Sequence, residues 1–106
     1  MKKNIFKLSK PFTFEGETYT ELNMAAFQDI TGQQISEAER IYKKQYNVNN
    51  TILIEYTFDF IFILCSIVLN KPIELFEAMS ATDAFSLKYW VSSFLTNGDM
   101  EEEEEI

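Results

Sequence analysis

The chain of 106 residues contains no histidine, one cysteine, three glycines and two prolines, and each scarcity excludes something. Without histidine there is no Ser-His or Cys-His pair, the common means of activating a nucleophile and moving a proton near neutral pH. A single cysteine builds neither an intramolecular disulfide framework nor a cysteine-rich zinc site. Three scattered glycines form no phosphate loop, dinucleotide-binding turn or EF-hand loop. So little glycine and proline also argues against a loop-dense all-β chain.

What is present is apolar. Hydrophobic residues make up 46% of the chain and aromatics 15%, with ten Phe, five Tyr and one Trp. That supply suits one domain, in which a chain of this length buries roughly two-thirds of the surface it exposes when unfolded. The formal charge of −8 is unevenly spread. Six acids, Asp99 and Glu101 to Glu105, stand in the last eight residues, so the remainder opposes eleven acids to nine bases. Lys2, Lys3, Lys7 and Lys10 open the chain. A net negative total disfavours general binding to phosphate backbones, whose affinity for proteins comes mainly from Lys and Arg. No nucleic-acid partner is expected.

Neither a targeting segment nor a membrane span is expected. Lys7, Lys10 and Pro11 interrupt the apolar stretch that a secretory signal needs after Met1-Lys-Lys. Residues 52–69 approach the minimum length of a span, but Glu55 and Asp59 fall inside it. Each acid would cost about 3 kcal/mol deep in a bilayer. A buried helix is the simpler reading, with the cytoplasm as the default address.

The pattern predicts an α+β fold, mainly α: an N-terminal β-hairpin packed on a bundle of three to four helices, with a disordered acidic C-terminal tail. The hairpin spans about 5–24. Phe6, Leu8, Phe12 and Phe14 share one parity against Lys7 and Thr13, Pro11 marks an edge or a break, and Glu15-Gly16-Glu17 supplies the turn. A short helical turn over 25–30 precedes two capping-box spacings, Thr31 with Gln34 and Ser36 with Glu39, either of which suits the start of a helix over 33–46. A longer central helix over 51–69 would carry Glu55 and Asp59 on one face at i, i+4 spacing. Pro72, at a first helical position, opens a short helix over 72–79. The last helix, 82–96, has Leu87, Trp90/Val91 and Phe94/Leu95 as its buried stripe and stops at Asn97-Gly98. One domain therefore covers 1–98, and 99–106 is the acidic tail.

Candidate chemistry is sparse. Glu55 and Asp59 are the one acid pair close enough to perturb each other, against the plainer reading of an exposed acidic edge. Cys65, set among Phe62, Ile63, Leu64, Ile67 and Val68, reads as a buried inert thiol. The lysines among Phe6, Phe12 and Phe14 guard an edge strand more naturally than they bind nucleic acid. The glutamate run has no geometry for a specific cation. No catalytic residue, cofactor or metal site is expected, and the protein reads as no enzyme.

Several segments, taken in order, resemble a known family. Leu8-Ser-Lys-Pro-Phe-Thr-Phe-Glu-Gly-Glu-Thr-Tyr-Thr-Glu-Leu22 is followed by Asp29-Ile-Thr-Gly-Gln-Gln-Ile35, then by Asn70-Lys-Pro-Ile-Glu-Leu-Phe76 and by a helix opening Thr82-Asp83-Ala-Phe85. Up to about Leu95 this order is similar to that of the small tail assembly chaperones of long-tailed bacteriophages and prophages. Gln34, where an acid would be expected, and the acidic tail depart from the family pattern. The resemblance implies a non-enzymatic protein of the bacterial host cytoplasm, acting in virion morphogenesis. It would bind the tape measure protein and aid assembly of tail tube protein around it. Such proteins are often also made in a longer, frameshifted form. A holdase of this kind needs an exposed apolar groove rather than catalytic groups. That groove is expected between the central and last helices, around Phe58, Phe62, Tyr89 and Trp90. The competing class is an acidic inhibitor or nucleic-acid mimic, which the near-neutral body disfavours. A holin-like membrane peptide is a third, and it would need residues 52–69 in lipid.

Overall fold

The computed structural model describes residues 4–46 and 57–97. Strand β1, Ile5–Phe14, and strand β2, Glu17–Asn23, form an antiparallel hairpin. Both residues of the turn, Glu15 and Gly16, have positive φ (51° and 83°), as in the tight turns whose twist matches that of paired strands. Glycine takes this conformation freely, whereas Glu15 does so at some cost. The even-numbered face of β1 turns inward: Phe6 is buried, Leu8, Phe12 and Phe14 are half-buried, and Lys7 and Thr13 are exposed.

Pro11 breaks the ladder. Lys7 pairs with Glu21 and Phe12 with Tyr19, so four residues of β1 oppose the single Thr20 of β2. Proline has no N–H to donate, and the chain bulges where it would have been needed.

A 3₁₀ helix, Ala25–Asp29, follows, its first N–H held by the Asn23 side chain at 2.9 Å. Helix α1, Gly32–Tyr46, begins with a reciprocal cap. Gln34 N–H donates to the Thr31 hydroxyl (3.2 Å), and Thr31 N–H donates to Gln34 Oε1 (3.0 Å). Of the two start signals in the sequence, the first is used. Ser36 and Glu39 lie inside the helix, where Glu39 instead pairs with Lys43 at 3.0 Å.

Helix α2, Phe58–Leu69, starts later than its composition predicts. Thr57 has extended backbone and accepts the Phe60 N–H at 3.2 Å, which makes it the N-cap. Residues 51–56, Glu55 among them, lie outside the described residues, and the expected pairing of Glu55 with Asp59 on one face falls there with them. Helix α2 packs against α1, the 3₁₀ helix, the short helix α3 (Ile73–Glu77) and helix α4 (Ala81–Asn97), which accounts for its almost wholly buried run from Phe60 to Cys65. Left-handed Asn70 ends it, with the N–H groups of Asn70 and Lys71 both reaching the Ser66 carbonyl. Pro72 is the residue before α3 rather than its first, and Leu75 and Phe76 alone are buried there.

Together these elements make an α+β fold, mainly α, around one core of Phe6, Leu22, Met24, Phe27, α2 and the inner faces of α3 and α4. No helix among the described residues is long and apolar enough to cross a membrane. The acidic run at 99–106 lies outside the described residues.

Candidate protein-docking surface

Helix α4 presents two chemically different faces, and its first turn sets which face meets the core. Ser80 caps the helix, accepting the Asp83 N–H at 3.2 Å. Asp83 then turns away from its own helix. Its carboxylate accepts the Ser9 backbone N–H at 2.8 Å and the Ser9 hydroxyl at 3.2 Å. Ser9 lies in the stretch of β1 where Pro11 has disrupted pairing, so the carboxylate takes a donor from the interrupted ladder. At 4% exposure, this tie also answers for one of the two buried polar side chains of the described chain. It clamps the start of α4 to the bulged strand and fixes the helix rotation.

With that rotation set, Leu87 and Val91 are fully buried. Trp90 meets Phe27 edge-on at 5.5 Å and stacks on Phe94 at 5.8 Å. Trp90 is thus a half-buried residue packed against the core cluster, with its ring turned to Phe27 and Phe94.

On the opposite face, Phe85 is 62% and Tyr89 76% exposed, the two large apolar side chains of the described residues left so open. They line an open groove of about 410 Å³ together with Lys88, Ser92, Ser93 and Thr96. The groove runs along α4 rather than between α2 and α4 as the sequence suggests. Phe58 borders it from α2, with its ring edge-on to Phe85 at 5.1 Å and 5.9 Å from the nearly buried Phe62. The Lys88 ammonium sits 4.5 Å from the Phe58 ring centroid, a cation–π contact worth about 0.5–1 kcal/mol at an exposed site.

Of the four candidates, Tyr89 lines the groove, Phe58 meets its Phe85, Phe62 lies against Phe58, and Trp90 faces Phe27 and Phe94. Phe85 and Lys88 are the members that sequence reasoning missed. The signal was there: Phe85 and Tyr89 are i, i+4 and fall off the stripe of Leu87, Val91 and Phe94, so one helix face must leave both uncovered.

The surface can hold an apolar side chain between aromatic rings, with serine and threonine hydroxyls and one ammonium along the rim. Cys65, the one thiol, is fully buried and pushed well above its ordinary range by burial. Among the described residues no group of three or more Cys, Asp or Glu converges as a metal site. Compared with protein-family profiles, characterised proteins and solved structures, the chain matches none.

Proposed function

We propose that this protein is a non-enzymatic binding protein that receives an apolar helical segment of another polypeptide along the outer face of α4. The observation that carries the reading is the joint exposure of Phe85 and Tyr89 on a helix whose other face is fully engaged. Two aromatics one turn apart present a ridge to which the i, i+3 and i+4 side chains of a partner helix are complementary. Aromatic side chains are also among the residues enriched at protein interfaces and their energetic centres.

The resemblance to small phage tail assembly chaperones sharpens the proposal. The partner is then the tape measure protein, a long chain whose apolar helices need cover before tail tube protein assembles around them. The same reading assigns the protein to the bacterial cytoplasm during virion assembly. A holdase requires a soluble scaffold with accessible apolar rings, which agrees with the near-neutral body of the chain.

Co-expression with a tape measure fragment tests it. Retention of the fragment by the native chain, and its loss with the double substitution Phe85→Ser, Tyr89→Ser, supports the proposal. Equal retention by both excludes this surface. Deletion of residues 99–106 separates it from the acidic-mimic class: a mimic loses its target, and a chaperone using α4 keeps its own.

A further inference from the structure

Outside the α4 surface, the second open feature is an edge of backbone. The described sheet has two strands, so each strand leaves one side unpaired. The two edges are not equivalent. That of β1 is interrupted at Pro11, and its Ser9 N–H is occupied by Asp83. That of β2 is whole. A groove of about 310 Å³ follows β2 through all its residues, with Leu69 and Lys71 from the end of α2 forming the far wall. The strand is Glu17-Thr-Tyr-Thr-Glu-Leu-Asn23, rich in residues that suit a ladder.

We propose that the free edge of β2 accepts an extended segment of another protein as a third, backbone-paired strand, and that this segment carries lysine or arginine at alternating positions. The backbone edge supplies the affinity and the flanking side chains the selectivity. Glu17 and Glu21 are exposed along the edge, and Glu15 stands at the turn beside it. Among the described residues Lys71 is the cation lining the groove, 5.6 Å from the Tyr19 ring centroid, and Lys7 stands opposite Glu21 on β1. Acidic groups along a strand repel a second acidic edge and attract a basic one. The same charges speak against a second copy of this chain, because a two-fold pairing of β2 with itself would gather both sets of glutamates on one seam. This surface is separate from the α4 groove, so its failure leaves the α4 reading standing.

Fluorescence anisotropy of a labelled peptide alternating lysine with threonine and valine, titrated with the full chain at low salt, tests the proposal. Binding is expected, with amide shifts in heteronuclear NMR spectra concentrated on Thr18 to Asn23. Methylating the central backbone nitrogens keeps the charge but removes the donors, and at least ~10-fold weaker binding is expected. The substitutions E17K and E21K, made together with K7E so that position 21 keeps an opposite charge across the ladder, should reverse the preference between the lysine peptide and a glutamate counterpart. Absence of binding, binding indifferent to methylation, an unreversed preference, or shifts centred on Phe85 and Tyr89 would each overturn the assignment.

Discussion

The two faces of α4 use the same kinds of residue for opposite ends. On the inner face Trp90 and Phe94 close around Phe27 and, with Leu87 and Val91, hold the helix to the core. On the outer face Phe85 and Tyr89 contribute little to that packing and stay open to solvent. An aromatic side chain is thus packed in the core or left open to solvent according to the angle at which the helix presents it. That angle is held by the Asp83–Ser9 tie at the first turn.

The comparison can be broken from either side. Leu87→Ala, on the inner face, should cost about 2–5 kcal/mol and lower the melting temperature sharply, because a fully buried side chain leaves a cavity. A chemical denaturation curve checks this, and a loss below 0.5 kcal/mol would contradict the burial. Asp83→Ala should follow, at roughly 1–3 kcal/mol, since it leaves the Ser9 donors without their carboxylate. It should also weaken partner binding by letting α4 rotate, which Asp83→Asn, retaining one acceptor, should do less.

On the outer face the expected pattern inverts. Phe85→Ser with Tyr89→Ser should cost no more than about 1.5 kcal/mol in all, chiefly the Phe85–Phe58 contact, yet reduce partner binding at least ~10-fold. Isothermal titration beside a melting curve separates the two effects. A large stability loss without a binding loss would reassign the rings to structure.

A smaller effect concerns the core thiol. Burial raises Cys65 above its ordinary value of 9.0, so the folded chain keeps a proton that the unfolded chain releases. Its contribution to stability is complete below pH 9.0 and declines as pH rises past it, by up to about 1.4 kcal/mol per pH unit. Cys65→Ala should flatten that alkaline limb in pH-dependent unfolding. The native thiol should also react with a disulfide reagent only after unfolding. Smallest of all, Glu15→Asn should stabilise the hairpin by about 0.5–1 kcal/mol, because asparagine tolerates the positive φ that Glu15 adopts. Thermal melts would detect it.

Local features were legible from the chain alone. The even-numbered inward face of β1, the Pro11 interruption, the turn at Glu15-Gly16 and the buried stripe of α4 each depend on residues a few positions apart. Less legible was the choice between equivalent local signals. The apolar composition predicts a helix from about 51, and the described helix is capped by Thr57. Pro72 serves equally well inside or just before a helix, and it stands before. Trp90 turns to Phe27 and Phe94 while Tyr89 stays open, and composition does not say which of two adjacent rings turns inward. Tyr89 and Trp90 differ by about 100° around the helix, and a rotation fixed by a distant contact decides between them.

That contact joins Ser9 to Asp83, 74 residues apart. The sequence by itself determined the elements, their order and the absence of histidine chemistry, since propensity, capping and hydrophobic period act within a turn or two of chain. The tertiary structure alone decided which rings are core and which strand edge stays open. It also decided which surface is free to meet a partner, because burial belongs to the assembled set of elements and not to any one of them.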